Sequence, residues 1–248
     1  MQNIGKVQNR GMEFTLNTKN LTGEFAWSSN FNISFNKNKV LEVGVDGRPI
    51  YGSAANANNA FITKPGYPIA SFYGYKYIGV FQSEEELAKY PHLSGDKVGD
   101  GRYEDVNKDG VLDQNDKTIL GDNNPLFTAG FSNSFSYKNF TLDIQFTGSY
   151  GAEVFSFYKR MCGIYHGDRN GMIEQLGRWQ SKDQPGDGIH FRPTRTPSGW
   201  QRDPSSAWVQ DASYLRLRNL TLGYNFDQKV LDKICLLYTS DAADDTPC

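Results

Sequence analysis

The chain has 248 residues, enough for one or two ordinary domains, and a formal net charge of −2. That balance excludes the basic surplus a nucleic-acid footprint needs, and no run approaches the roughly 18 apolar residues of a membrane-spanning helix. Fourteen Tyr, sixteen Phe and four Trp set among frequent Gly and Asn favour short strands joined by turns over long helices.

Taken in order, the opening Met1-Gln-Asn-Ile-Gly5 lacks the basic and apolar regions of a signal peptide. The chain is therefore expected to be cut at its start, which leaves the compartment open. Met12, Phe14 and Leu16 alternate with Glu13, Thr15 and Asn17, and Phe25, Trp27, Phe31, Ile33 and Phe35 alternate with polar neighbours. Period two predicts strands with one apolar face, and Lys19–Gly23 supplies the turn of an antiparallel hairpin. Residues 37–70 are rich in Asn, Gly, Ala and Pro without a sustained period, which predicts a long loop or a chain of short edge pieces. Turns are expected at Gly44–Pro49 and Pro65–Pro68, and Ser71–Phe81 returns to strand character. Ser83 and Glu86 form a capping-box pattern for a short helix. The adjacent Glu84, Glu85 and Glu86 complement its dipole better than they serve as an acid/base pair.

The most informative run is Asp105-Val-Asn107-Lys-Asp109-Gly110-Val111-Leu-Asp113-Gln-Asn-Asp116. Side-chain oxygens fall at loop positions 1, 3, 5, 9 and 12, and Val111 at position 7 offers its carbonyl. A hard cation such as Ca²⁺ takes about 6–8 oxygens, and this spacing converges alternate side chains on one point. The run predicts a structural Ca²⁺ held by Asp105, Asn107, Asp109, Val111, Asp113 and Asp116; the competing expectation is a plain Asp/Asn/Gly turn. Asp116 is shorter than the bidentate Glu usual at position 12, so affinity should be modest. Gly99 and Gly101 before the run, and Gly121 and Pro125 after it, exclude flanking helices. A clip inside a β framework is expected, not a sensor.

Downstream, Phe127, Ala129, Phe131, Phe135 and Tyr137 alternate with small or polar residues; Lys138-Asn139 turns the chain, and Phe140, Leu142, Ile144 and Phe146 continue. This hairpin suits a soluble sandwich and a membrane barrel equally. Phe155–Met161 and Met172–Trp179 are expected as short helices. Ser181–Ser206 is polar and carries Pro185, Pro193, Pro197 and Pro204, longer than an ordinary connection and so a candidate functional surface. His92, His166 and His190 have no second His or Cys at metal spacing, so each is expected to be hydrogen-bonded or solvated. Ala207–Phe226 predicts a long β run. Leu215 and Leu217 share one parity whereas Leu220, Leu222, Tyr224 and Phe226 take the other, which predicts a bulge near Asn219. Arg216 and Arg218 cannot meet lipid cheaply at mid-depth and are expected in a lumen or at a rim. The final Cys235-Leu-Leu-Tyr-Thr-Ser-Asp-Ala-Ala-Asp-Asp245 resembles a sequencing adapter translated in frame, so residues 235–248 are set aside as non-native. Cys162 then stands alone, without a disulfide partner or a metal cluster.

Several landmarks now fall in a recognisable order. They are Asn9-Arg-Gly-Met-Glu13, Ser71–Phe81, Tyr103–Gly110, Ile119-Leu-Gly-Asp-Asn-Asn-Pro125 and Trp208–Tyr224. Over residues 1–234 the chain resembles the C-terminal part of SusC/RagA-type TonB-dependent outer-membrane transporters. The resemblance implies an all-β chain: a partial antiparallel transmembrane β-barrel, an incomplete piece of a 22-stranded barrel, with long extracellular loops. It implies a bacterial outer-membrane setting, contact with membrane lipid, and import of oligosaccharides or peptides. It also implies partnership with a SusD-like lipoprotein and with TonB, through a plug segment absent here, and no role as an enzyme or in nucleic-acid binding. Short turns at Lys19–Gly23 and Lys138-Asn139 against long connections at 37–70, 82–126 and 151–207 fit such a barrel and put the acidic run outside the cell. The alternative is a secreted or surface β-sandwich adhesion module with a calcium-binding loop. A glycoside hydrolase would need two carboxylates across a cleft, a pair that spacing alone does not place.

Overall fold

The computed structural model describes residues 5–44, 46–54, 57–163, 170–193 and 203–227. In chain order the elements are β1 (Gly5–Leu21), β2 (Phe25–Val43), β3 (Ile50–Ala54), β4 (Ala57–Thr63), β5 (Ser71–Gly74) and β6 (Tyr77–Val80). Helix α1 (Glu84–Lys89), β7 (Gly101–Tyr103), β8 (Thr118–Gly121), β9 (Phe127–Tyr137), β10 (Phe140–Tyr150) and β11 (Glu153–Phe155) follow. Helix α2 (Phe157–Gly163), β12 (Val209–Asp211) and β13 (Tyr214–Tyr224) complete the described set. The all-β expectation holds.

One compact unit comprises Met12–Phe35, Phe127–Ser149 and the chain from Tyr214. Its sheet runs β1-β2-β9-β10-β13, with antiparallel pairing in register Trp27↔Phe135 and Phe31↔Phe131 between β2 and β9. Leu142↔Leu222 and Ile144↔Leu220 pair β10 with β13. Because directly opposed residues share a face, these pairs build one continuous apolar face. The predicted bulge is present: Gln145 pairs with Asn219 but Phe146 with Leu217, which skips Arg218. The extra residue returns Leu217 and Leu215 to the face of Leu220 and Leu222, resolving the parity switch.

Among the described residues, no other layer covers that face. Met12 is 75% exposed, Leu215 79% and Leu222 73%. A β-sandwich would pack a second sheet about 10 Å above it, and among the described residues none does so. An uncovered apolar band on strands of about 9–11 residues is what a lipid environment requires. The facing polar pair Ser29 and Asn133 on this side is tied internally: Asn133 Oδ1 accepts from Trp27 Nε1 at 3.0 Å and from Ser29 Oγ at 2.9 Å, as a dry surrounding demands. The opposite face is amide- and hydroxyl-rich. Asn30 donates to Asn17, Ser34 to Glu13 at 3.5 Å, and Ser134 to Asp143. Within this sheet β1 and β13 are open edges.

The other unit comprises Met1–Gly11, Asn36–Leu126 and Tyr150–Ser213. Here β2 continues well past Phe35, because Val40 pairs by both backbone groups with the turn at Gly66-Tyr67. The piece at Ala57–Thr63, expected at an edge, is central in the sheet β3-β4-β5-β8. Ser71–Phe81 is two strands: β5 joins that sheet and β6 pairs with β7. The break falls at Tyr75, whose N–H donates to Pro204 O at 2.9 Å while its carbonyl accepts from Ser206 N at 3.0 Å. A Cβ on Gly74 would lie 2.1 Å from Pro204 O, so only glycine permits this approach. The capped helix appears as expected, with Ser83 Oγ accepting from Glu86 N at 3.3 Å; Glu86 reaches back to Gln82 N at 2.9 Å, one residue before the cap. Of the two short helices expected further on, the first is present with its start two residues later and the second is corrected. Phe155 ends a strand and α2 starts at Phe157, while Met172–Trp179 forms only a 3₁₀ turn over Ile173–Gly177. Ser206–Trp208 is likewise a 3₁₀ turn, and β12 pairs with β11 apart from β13. Ala57, Ala60, Phe72, Val80, Phe155, Phe191 and Trp208 form the larger core, and Tyr75, Tyr103 and Leu112 a second.

Candidate functional site

The acidic run leaves β7 and reaches β8 through a 3₁₀ turn over Gln114–Asp116, so the flanking helices are absent as expected. Lys108 and Gly110 adopt left-handed backbone, at φ +61° and +83°, which bends the loop back on itself. Asp105 Oδ1 accepts from Lys108 N at 2.6 Å and Oδ2 from Gly110 N at 2.8 Å. Asn107 Oδ1 accepts from Asp109 N at 3.0 Å, and Asp109 Oδ1 from Val111 N at 2.8 Å. Asp113 caps the 3₁₀ turn by accepting from Asn115 N at 2.7 Å. Asp116 is fully buried and gathers three donors, Val106 N at 2.9 Å, Asp113 N at 2.8 Å and Asn107 N at 3.5 Å.

The structure thus separates the predicted ligand set by role. Asn107 and Asp109 stay on the exposed side of the loop, as does Val111, which is 58% exposed, while Asp105 is half-buried. Asp116 turns inward and ties both ends of the loop together. The oxygens have hard-cation chemistry, but each carboxylate is engaged by the loop's own N–H groups. Among the described residues no group of three or more His, Cys, Asp or Glu side chains is arranged to hold a metal ion.

Beneath the loop, Lys117 Nζ stands 4.9 Å from the Tyr75 ring centroid and 3.6 Å from Asp203 Oδ2. Burial, reinforced by the carboxylates of Asp203, Asp116 and Asp113, pushes the Tyr75 phenol well above its ordinary value, so it stays neutral.

Spacing did not reveal a cavity of about 370 Å³ in the same unit. It is assembled from α2, the 3₁₀ turn at Ile173–Gly177, residues 189–191 and the segment 206–210. Its walls are Tyr77, Met172, Ile189, Phe191 and Trp208, with Lys159 and Glu174 supplying charge. The excessive length of the polar stretch Ser181–Ser206 was the one signal pointing there. His190 belongs to this rim, its Nδ1 2.6 Å from Asp187 Oδ2; His92 Nδ1 lies 2.9 Å from Tyr90 O. Burial pushes the Asp187 carboxyl up, but the N–H groups of His190 and Ile189 and the His190 ring outweigh it and hold it below the usual carboxylate value. His166 and the tail 235–248 lie outside the described residues. Arg216 sits on the polar face of β13, opposite Thr147 and 5.2 Å from the Tyr214 ring centroid, and Arg218 is the bulge residue.

No family model matches the chain. It is 34% identical over 239 residues to TonB-dependent receptor P3 of Formosa agariphila, a match covering 94% of this chain and 23% of that protein. It is 26% identical to TonB-dependent receptor SusC of Bacteroides thetaiotaomicron, over 91% of this chain and 21% of that protein. The fold is similar to a chain of the RagAB peptide transporter, with a TM-score of 0.72, 19% identity, and coverage of 97% of this chain and 24% of that one. The chain therefore spans less than a quarter of the length of these relatives. With its antiparallel strands, uncovered apolar face and alignment along nearly its whole length, the chain is similar to a segment of TonB-dependent receptors, SusC among them, and shares the fold of the matching part of the RagAB chain.

Proposed function

We propose that the protein carrying this chain sits in the bacterial outer membrane and imports a nutrient oligomer, an oligosaccharide or a peptide. Energy enters through TonB, and a SusD-like lipoprotein serves as the partner at the outer mouth. The observation that carries this reading is the sheet β1-β2-β9-β10-β13, apolar and exposed on one face and rich in amides and hydroxyls on the other. A lipid-facing band and a wet lumen ask for that division. The tight turns at 22–24 and 138–139 fall at one end of the sheet, where Phe25 pairs with Tyr137, and we assign that end to the periplasmic side. Deleting the gene is expected to abolish growth on one class of glycan or peptide as sole source; unchanged growth on every candidate would sink the proposal.

For the Asp105–Asp116 loop we propose a weakly held structural Ca²⁺ on the oxygens of Asp105, Asn107, Asp109 and Asp113, supported by donor chemistry and spacing. Asp116 and the Val111 carbonyl complete the set expected from spacing. Calorimetric titration should give a dissociation constant on the order of 10⁻⁴ M, as in extracellular modules. The absence of heat, or identical heat from an Asp105→Ala/Asp109→Ala variant, would remove the ion from the account.

A further inference from the structure

We infer that the cavity between α2 and the Trp208 segment is a binding site for an apolar side chain of a peptide. The inference rests on the import reading and gives it a substrate class. A volume of about 370 Å³ lies at the small end of ligand pockets, large enough for one or two amino-acid residues. The walls on several sides are apolar: Met172, Ile189, Phe191, Val209 and the buried Trp208. A sugar wants a flat exposed aromatic and a crowd of directed polar partners. Trp208 offers no such platform, because it is 4% exposed, has Phe191 edge-on at 90°, and abuts Gly163, where a Cβ would lie 2.8 Å from its ring. A branched or aromatic side chain needs only enclosure.

The polar equipment also fits a peptide. Lys159 and Glu174 line the cavity, and among the described residues neither has an ion-pair partner. An ammonium and a carboxylate at one pocket complement the carboxylate and amino ends, or the carbonyl and N–H, of a short peptide. The Trp208 indole N–H is buried and, among the described residues, has no acceptor. Such a donor is costly to leave unsatisfied, and a peptide carbonyl is a suitable acceptor. The wall is held rigidly: Tyr77 OH donates to Ile189 O at 2.5 Å, Tyr77 N to Ser206 Oγ at 2.9 Å, and Asp187 accepts from Ile189 N at 2.8 Å. A preformed apolar wall lowers the ordering cost of binding.

The test uses the whole receptor, purified in detergent, with the dipeptide Leu-Phe and with maltotriose as calorimetric probes. Leu-Phe should bind, and Ile189→Asp, at a position already 61% exposed, should weaken it at least tenfold. Lys159→Met should weaken Leu-Phe but not its C-terminal amide, a distinction that a folding defect would not produce. Leu-Phe binding that Ile189→Asp leaves unchanged, or no binding at all, overturns the site. Maltotriose binding lost in Ile189→Asp overturns the peptide assignment. Loss of growth on one glycan or peptide class when the gene is deleted shows that the import reading survives either result, whereas unchanged growth on every candidate shows that reading to have failed.

Discussion

Replacing Asp116 with alanine should open the acidic loop locally without unfolding the rest of the unit. The carboxylate is fully buried and accepts two short backbone bonds, from Asp113 N at 2.8 Å and Val106 N at 2.9 Å, with Asn107 N at 3.5 Å contributing little. Hydrogen bonds to a charged group contribute about 1.5–3 kcal/mol each, and alanine removes the acceptor from both part-buried donors. Two such bonds set the local cost at about 3–5 kcal/mol. At about 1.4 kcal/mol per tenfold, the amides of Val106 and Asp113 should exchange their hydrogens roughly 10²–10³ times faster. Asp116→Asn should fall between, because one oxygen still accepts while the new NH₂ faces a donor. Asp109→Ala, on the exposed side of the loop, should change exchange at these two amides little. Hydrogen exchange read by mass spectrometry on the whole receptor measures all three. Rates within threefold of the parent in Asp116→Ala would refute the claim that this side chain ties the two ends of the loop together.

The two faces of β13 make a paired prediction: Leu220→Arg, opposite Ile144 on the apolar face, should cost about 2–4 kcal/mol of folding in lipid vesicles, whereas Thr221→Arg on the other face should be tolerated. Equal losses, read by the heat-induced gel shift of folded barrels, would mean the faces are misassigned. Gly74→Ala puts a Cβ about where Pro204 O stands and should cost about 3 kcal/mol or more; unchanged resistance to limited proteolysis around Tyr75 would contradict the close approach. Because the folded-state value of Asp187 is depressed, its support of Ile189 and His190 is present at neutral pH. It is lost only as pH falls below the ordinary carboxylate value of about 4, so protection of those two amides that instead falls between pH 8 and 6 would point to another group.

Much of the sheet was legible because its causes are local. A strand shows its faces every second residue, so Phe127–Tyr137 and Phe140–Phe146 announce both strands and Lys138-Asn139 the turn between them. Even the bulge could be read, since Leu217 and Leu220 share a face only if one residue between them is skipped. The cap of α1 needed no more than Ser83 and Glu86 three residues apart. The unit with the buried core was less legible. Tyr75 breaks a strand because Ser205, about half the chain away, pairs with it there. β4 is central because β5 returns to its other side. The cavity draws on α2 and three segments that no local pattern links.

The chain order of polar and apolar residues thus determined the long strands, their tight turns, the two-faced sheet and the oxygen spacing of the acidic run, since all of these depend on neighbours a few residues apart. Tertiary structure alone decided which carboxylate of that run turns inward, where strands split, and that Trp208 and Lys159 meet around one cavity. Those outcomes depend on burial against residues distant in the chain. Asp116 alone of these carboxylates is fully buried, where it accepts from Val106 N and Asp113 N, and spacing carries no record of burial.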